Sequence, residues 1–191
     1  MIMYTQNTGA DPFVFPVSRI GNEDDPKLVI LLTNPGRNPG DINQIAESKM
    51  GFLDIYHDSI SGMKFSEYRQ KCPWWDNLLR IAEEFGITDD KVLSLEYYMY
   101  HTLEASSIPA QSKWTPEARK QLQINKTILT DLMNEGDALI FAYYFGNWEK
   151  EMPRLLTYSK YVRSDLRQGH PTAKQNEMRR ILQSCRNRGL I

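Results

Sequence analysis

Two short stretches of this sequence hold reactive residue types in stiff surroundings. The first is Thr33-Asn34-Pro35-Gly36-Arg37-Asn38-Pro39-Gly40-Asp41. Its Pro and Gly residues specify a tight, rigid turn that can hold Asn34 and neighbouring backbone N–H groups against a ligand. An Asn bonding its own backbone in an ordinary turn carries the same signature. The second is Gln168-Gly169-His170-Pro171-Thr172, where a His fixed between Gly and Pro is poised to form a hydrogen bond. A plain surface His fits there too. Two aromatic clusters, Tyr97-Tyr98-Met99-Tyr100-His101 and Tyr143-Tyr144-Phe145-Gly146-Asn147-Trp148, suit either core packing or stacking on a flat ring. The Asn34 turn is no P-loop, because no Gly-Lys-Ser/Thr follows, and no dinucleotide fingerprint. The two cysteines, Cys72 and Cys185, form no C-x-x-C pair, which excludes a four-cysteine zinc or iron–sulfur site within the chain.

These segments need a scaffold, and the pattern of apolar runs supplies one. Four β-prone runs occur: Lys27–Thr33, Lys91–Met99, Asp137–Phe145 and Tyr158–Leu166. The first is nearly all apolar, as in a strand covered on both faces. Helical patterns lie between them. Trp74–Phe85 carries Trp75, Leu78, Leu79 and Ala82 at helical spacing and stops at Gly86. Thr115-Pro116 starts a helix that runs through Leu122, Leu129 and Leu132 to Gly136. Asn147 can cap a helix over Trp148–Leu156 that Pro153 shortens or kinks, and a last helix covers Lys174–Asn187. Strand and helix alternate, so the expected fold class is α/β: a three-layer α/β/α sandwich around a four-stranded parallel sheet. Residues 1–26 read as an extended lead-in, and 27–191 as one domain. In such sheets ligands bind beyond the carboxyl ends of the strands, where the Asn34, Tyr97, Tyr144 and His170 segments fall.

With 191 residues, 41% hydrophobic and 25% charged, the chain has room for a core and is globular in composition. Two lone cysteines suit a reducing, cytoplasmic setting. Apolar runs such as Leu28–Leu32 are too short to span a bilayer, and no signal peptide is legible at the N-terminus. Charge is uneven. From Lys160 to Ile191, eight basic residues face only Asp165 and Glu177, a balance of +6, so the first 159 residues carry −7. The asymmetry suggests a local anionic partner, although a solvated helix face has the same composition.

Together these segments resemble the uracil-DNA glycosylase superfamily, most closely its mismatch-specific and thymine-DNA branch. Leu32-Thr33-Asn34-Pro35-Gly36 is similar to the first motif G-I-N-P-G, with Leu in place of the first Gly. Trp74-Trp75-Asp76-Asn77-Leu78 is similar to F-W-x-x-L, Tyr144-Phe145-Gly146 to L-W-G, and His170-Pro171-Thr172-Ala173 to H-P-S-P. The order agrees from about Lys27 to the C-terminus. The last Pro of H-P-S-P is Ala173, and the Leu that wedges into the base stack has no clear equivalent.

The resemblance implies hydrolysis of the N-glycosidic bond of a damaged or modified base flipped from single- or double-stranded DNA. Asn34 would hold the attacking water, and His170 would donate to a base oxygen that gains charge. Pro35, Gly36, Glu96, Tyr97, Tyr144 and Thr172 would surround the base. Lys174, Arg179 and Arg180 would sit on phosphates. No cofactor or metal is implied, nor any membrane, and the expected state is a monomer. In the uracil-specific branch an Asn ends the second strand and reads the base. Glu96 aligns with it, and an ionised carboxylate, which only accepts hydrogen bonds, would favour an amino group such as that of cytosine. A one-residue slip would turn Glu96 away. Two other readings stand beside this one: a non-catalytic nucleotide- or DNA-binding module of the same fold, and an unrelated α/β enzyme acting on a small nucleotide.

Overall fold

The computed structural model describes residues 18–33, 64–69, 73–100, 108–164, 166 and 171–191. In chain order they form β1 (Arg19–Gly21), β2 (Leu28–Leu32), α1 (Phe65–Tyr68), α2 (Pro73–Glu84), β3 (Val92–Glu96), α3 (Pro116–Glu135), β4 (Leu139–Ala142), α4 (Phe145–Glu151), β5 (Tyr161–Arg163) and α5 (Pro171–Asn187). Short 3-10 turns at Asp89–Lys91, Gln111–Lys113 and Pro153–Thr157 join them.

The strands make one mixed sheet in the order β1-β3-β2-β4-β5. β2 runs parallel to β3 and to β4, and β4 runs parallel to β5. The four expected strands are therefore present, each shorter than its apolar run. A fifth, β1, pairs antiparallel with β3, which corrects the four-strand count. Three residues among Gly, Asn and Asp give no alternation to read. Gly21 explains why the strand ends here: its φ is +108°, and a Cβ would lie 2.1 Å from the Val92 carbonyl oxygen, so only glycine can take the position.

Alternation sorts the sheet residues onto two apolar faces. Leu28, Ile30, Leu32, Val92, Leu139 and Phe141 meet Trp75, Leu78, Leu79 and Ala82 of α2 and Met178, Ile181 and Leu182 of α5. Val29, Leu31, Leu93, Leu95 and Ile140 meet Ala118, Leu122, Leu129 and Leu132 of α3 and Trp148 of α4. All five residues of β2 are buried, as a central parallel strand with helices on both faces requires.

Helix ends follow local chemistry. The Thr115 side chain accepts the Ala118 N–H (3.2 Å) at the start of α3, and Gly136 closes it with φ 79°. α4 begins at Phe145, earlier than the Asn147 cap predicts. It ends before Pro153, which has no N–H to continue the helix and opens a 3-10 turn instead. α5 starts at Pro171 rather than Lys174, with Pro at its first position. The short helix α1 has too few residues for a visible period. No described helix is long and apolar enough to cross a membrane.

Candidate functional site

The sheet order locates a crevice. The chain leaving β2 goes to β3 on one side, and the chain leaving β4 goes to β5 on the other. The carboxyl ends of the adjacent strands β2 and β4 thus flank the point where the winding reverses, the usual ligand position in such sheets. The end of β2 is anchored from two directions. The Leu32 carbonyl accepts the Tyr97 N–H (3.0 Å) and the Trp148 indole N–H (2.7 Å), and the Thr33 carbonyl accepts the Tyr98 N–H (2.8 Å). Asn34, Pro35 and Gly36 come next in sequence and lie outside the described residues, as does His170.

Across the α2/α5 face, the carboxyl edge carries Glu96, Leu32 and Tyr143 on three neighbouring strands. Leu32 pairs with Glu96, and the Tyr143 N–H bonds to the Leu31 carbonyl (3.1 Å), continuing the β2–β4 ladder. The Tyr143 ring lies 6.4 Å from that of Trp74 at the start of α2. Its hydroxyl donates to the Lys174 carbonyl (2.9 Å), tying the first turn of α5 to the end of β4. The Lys174 ammonium sits 5.0 Å from the centre of the Tyr144 ring, a cation–π contact. Tyr144 is half-buried and Thr172, in that same turn of α5, is exposed. Tyr144, Thr172 and Lys174 therefore gather beside the crevice.

Glu96 is 4% exposed, and its Oε2 has no hydrogen-bond partner. Its backbone is fully used. The N–H donates to the Ser18 carbonyl (2.9 Å), and the carbonyl accepts from the Asn125 amide (3.0 Å). Desolvation pushes the carboxyl well above its ordinary value, because a lone charge in apolar surroundings is costly. Burial thus favours the undissociated acid, with one O–H donor and a carbonyl acceptor, over the ionised form.

Tyr97 does not join Glu96, because successive strand residues face opposite ways. Its ring packs against Trp114 and Trp148 on the α3 side. Its hydroxyl accepts from the Gln111 amide (2.6 Å), which also donates to Glu151 (2.8 Å). Burial raises the phenol. Further along α5, Arg179 makes a two-pronged pair with Glu84 (2.8 Å for both contacts) and Arg180 one with Glu177 (2.9 Å for both). The three basic residues expected on phosphates are therefore placed differently: Lys174 at the crevice, the two arginines in carboxylate forks.

Ser94, Asn125 and Trp74 belong to this neighbourhood and were not assigned to it from sequence. Ser94 interrupts an apolar strand, and Asn125 falls between Leu122 and Leu129 on the apolar stripe of α3. A polar residue at a core position is the signal that could have found both. Among the described residues, no group of three or more His, Cys, Asp or Glu could hold a metal ion. No family model and no curated protein matches the chain.

Proposed function

We propose that the protein is a DNA glycosylase of the uracil-DNA glycosylase type, removing a modified base that has been flipped out of the stack. The observation that carries the reading is the buried Glu96 carboxyl with an unpartnered oxygen at the carboxyl edge of an α/β sheet. It stands one strand from the crevice, in a row with Leu32 and Tyr143. Such an atom is unfavourable in an apolar core and well placed to meet the polar edge of a flat ligand.

In the proposed reaction, water adds across the bond between C1′ and the base nitrogen. Hydroxide ends on the sugar, and the proton ends on the departing base. Positive character builds on the sugar and negative charge on the base, so catalysis consists of stabilising both and placing the water. Asn34 holds that water and His170 donates to the base, the roles the sequence motifs imply. Lys174, resting on Tyr144 beside the crevice, supplies positive charge near a phosphate. The test is base release, read by mass spectrometry, from a panel of modified bases in single- and double-stranded DNA. Release that disappears in Asn34→Ala supports the reading, and no release from any substrate refutes it.

One observation favours a small nucleotide as substrate instead. Arg179 and Arg180 are engaged by Glu84 and Glu177, which lowers the positive charge that α5 offers to a polyanion. Binding of a free nucleotide, without salt-sensitive binding of DNA, would select that reading.

A further inference from the structure

A buried indole must place its N–H on an acceptor. Trp148, the largest fully buried side chain among the described residues, uses an acceptor that already has a partner. Its acceptor is the Leu32 carbonyl, which also takes the Tyr97 N–H (3.0 Å). The Tyr97 bond continues the β2–β3 ladder. The Trp148 bond (2.7 Å) arrives from α4, on the face where Val29 and Leu31 meet α3. On either side of Leu32, the Leu31 carbonyl takes the Tyr143 N–H (3.1 Å) and the Thr33 carbonyl the Tyr98 N–H (2.8 Å), both from neighbouring strands. The side-chain donor thus falls on the last residue of β2.

We infer that Trp148 is a positioning residue: its N–H fixes the tilt of the peptide group joining Leu32 to Thr33, and with it the direction in which the chain leaves β2. The inference rests on the glycosylase reading for the role of Asn34, the residue after Thr33. The ladder bond holds the strand alongside β3. It leaves the peptide plane free to rock, because a carbonyl accepts over a broad range of directions. A second donor from the helix face removes that freedom. The donor is itself firmly mounted. The Trp148 ring packs near that of Tyr97 (5.9 Å between centres), and α4 follows directly on β4. The two strands that flank the crevice are therefore tied at their carboxyl ends through α4.

Rate and stability should respond differently to loss of this N–H. The Leu32 carbonyl keeps its bond from Tyr97, so no buried acceptor is orphaned and the fold loses little. The group that follows in the chain loses its aim, and a misplacement of about 1 Å can cost about 10²-fold in rate.

The experiment replaces Trp148 in the full chain with benzothienylalanine, which keeps the bicyclic ring and puts sulfur in place of the N–H. The same replacement at Trp114 is the control, because its indole lies on the same face and bonds instead to the Pro109 carbonyl (2.8 Å). Rates are taken on the oligonucleotide from which wild type releases base fastest. The Trp148 variant should melt close to wild type and bind that oligonucleotide with unchanged Kd. It should release base about 10- to 100-fold more slowly in single turnover. Its Thr33 and Asn34 signals should move in amide NMR spectra. The Trp114 variant should match wild type in rate and in those signals. An unchanged rate, a loss confined to Kd, an equal loss in the Trp114 variant, or unmoved Thr33 and Asn34 signals overturns the inference. If the isostere does not fold, Trp148→Phe, which also lacks the N–H, is judged by the same criteria. A rate unchanged in the Trp148 variant would remove this role and leave the glycosylase reading standing. No release from any oligonucleotide by wild type would refute that reading, and the NMR signals would then decide whether Trp148 sets the exit from β2.

Discussion

Replacing Glu96 with glutamine should change how stability depends on pH more than stability itself. The wild-type carboxyl is held undissociated in the folded chain and titrates near its ordinary value when unfolded. Above that ordinary value the folded state therefore binds one more proton than the unfolded state. Stability then falls as pH rises, by ~1.4 kcal/mol for each pH unit. The loss begins near pH 4.5, the ordinary value of the group. It ceases once pH passes the raised folded-state value, where both states are ionised. A glutamine side chain carries no proton to lose, so its curve lacks this component. For a chain of this length, 1 kcal/mol is worth roughly 2–4 °C in Tm. Wild type should accordingly lose roughly 3–6 °C relative to Glu96→Gln for each pH unit between pH 5 and the raised value. Thermal melts followed by circular dichroism at matched ionic strength provide the measurement. Parallel Tm curves for the two proteins from pH 5 to pH 8 would show that Glu96 is ionised or solvated in the folded state, and the account of its environment would fail.

Other expectations are simpler. Asn34→Ala should lower the single-turnover rate of base release by about 10²–10³ without moving the melting temperature, and full activity would refute its role. Thr115→Ala removes the side-chain acceptor of the Ala118 N–H and should destabilise the fold by about 1 kcal/mol in denaturant titrations, with m unchanged. Because Arg179 and Arg180 are engaged by carboxylates, Arg179→Ala with Arg180→Ala should change the log–log salt slope of DNA binding by well under the roughly 0.9 per contact of a free phosphate contact. Lys174→Ala should lower it by about that full amount. A large change from the arginine pair, measured by fluorescence anisotropy across salt, would show that the forks open on DNA.

The legible parts of the fold were those with a strong periodic signal. β2, five consecutive apolar residues, and α3, with Thr115 before it and Gly136 behind it, were readable almost to the residue. β1 was not, because its attachment depends on long-range partners: the Val92 carbonyl close to Gly21, and the Ser18 carbonyl held by Asn125. At the site, the sequence located the strand ends, but not the burial that pushes the Glu96 carboxyl above its ordinary value. Whether a carboxyl is charged depends on how completely other segments exclude water, and no local pattern records that. Similarly, the basic tally from Lys160 onward could not reveal that Arg179 meets Glu84, a residue 95 positions away.

Asn125 holds the carbonyls of Ser18 and Glu96 with a single amide, at 3.0 Å each, and the Glu96 N–H closes onto Ser18 in turn. The backbone amide proton of Glu96 is therefore shielded only while the edge strand stays docked, and its exchange with solvent gauges how often β1 peels from the sheet. Because each peeling would also admit water to a carboxyl kept neutral by dryness, alkali should ratchet the edge open. Fraying at this rim is thereby wired to the proton carried by Glu96.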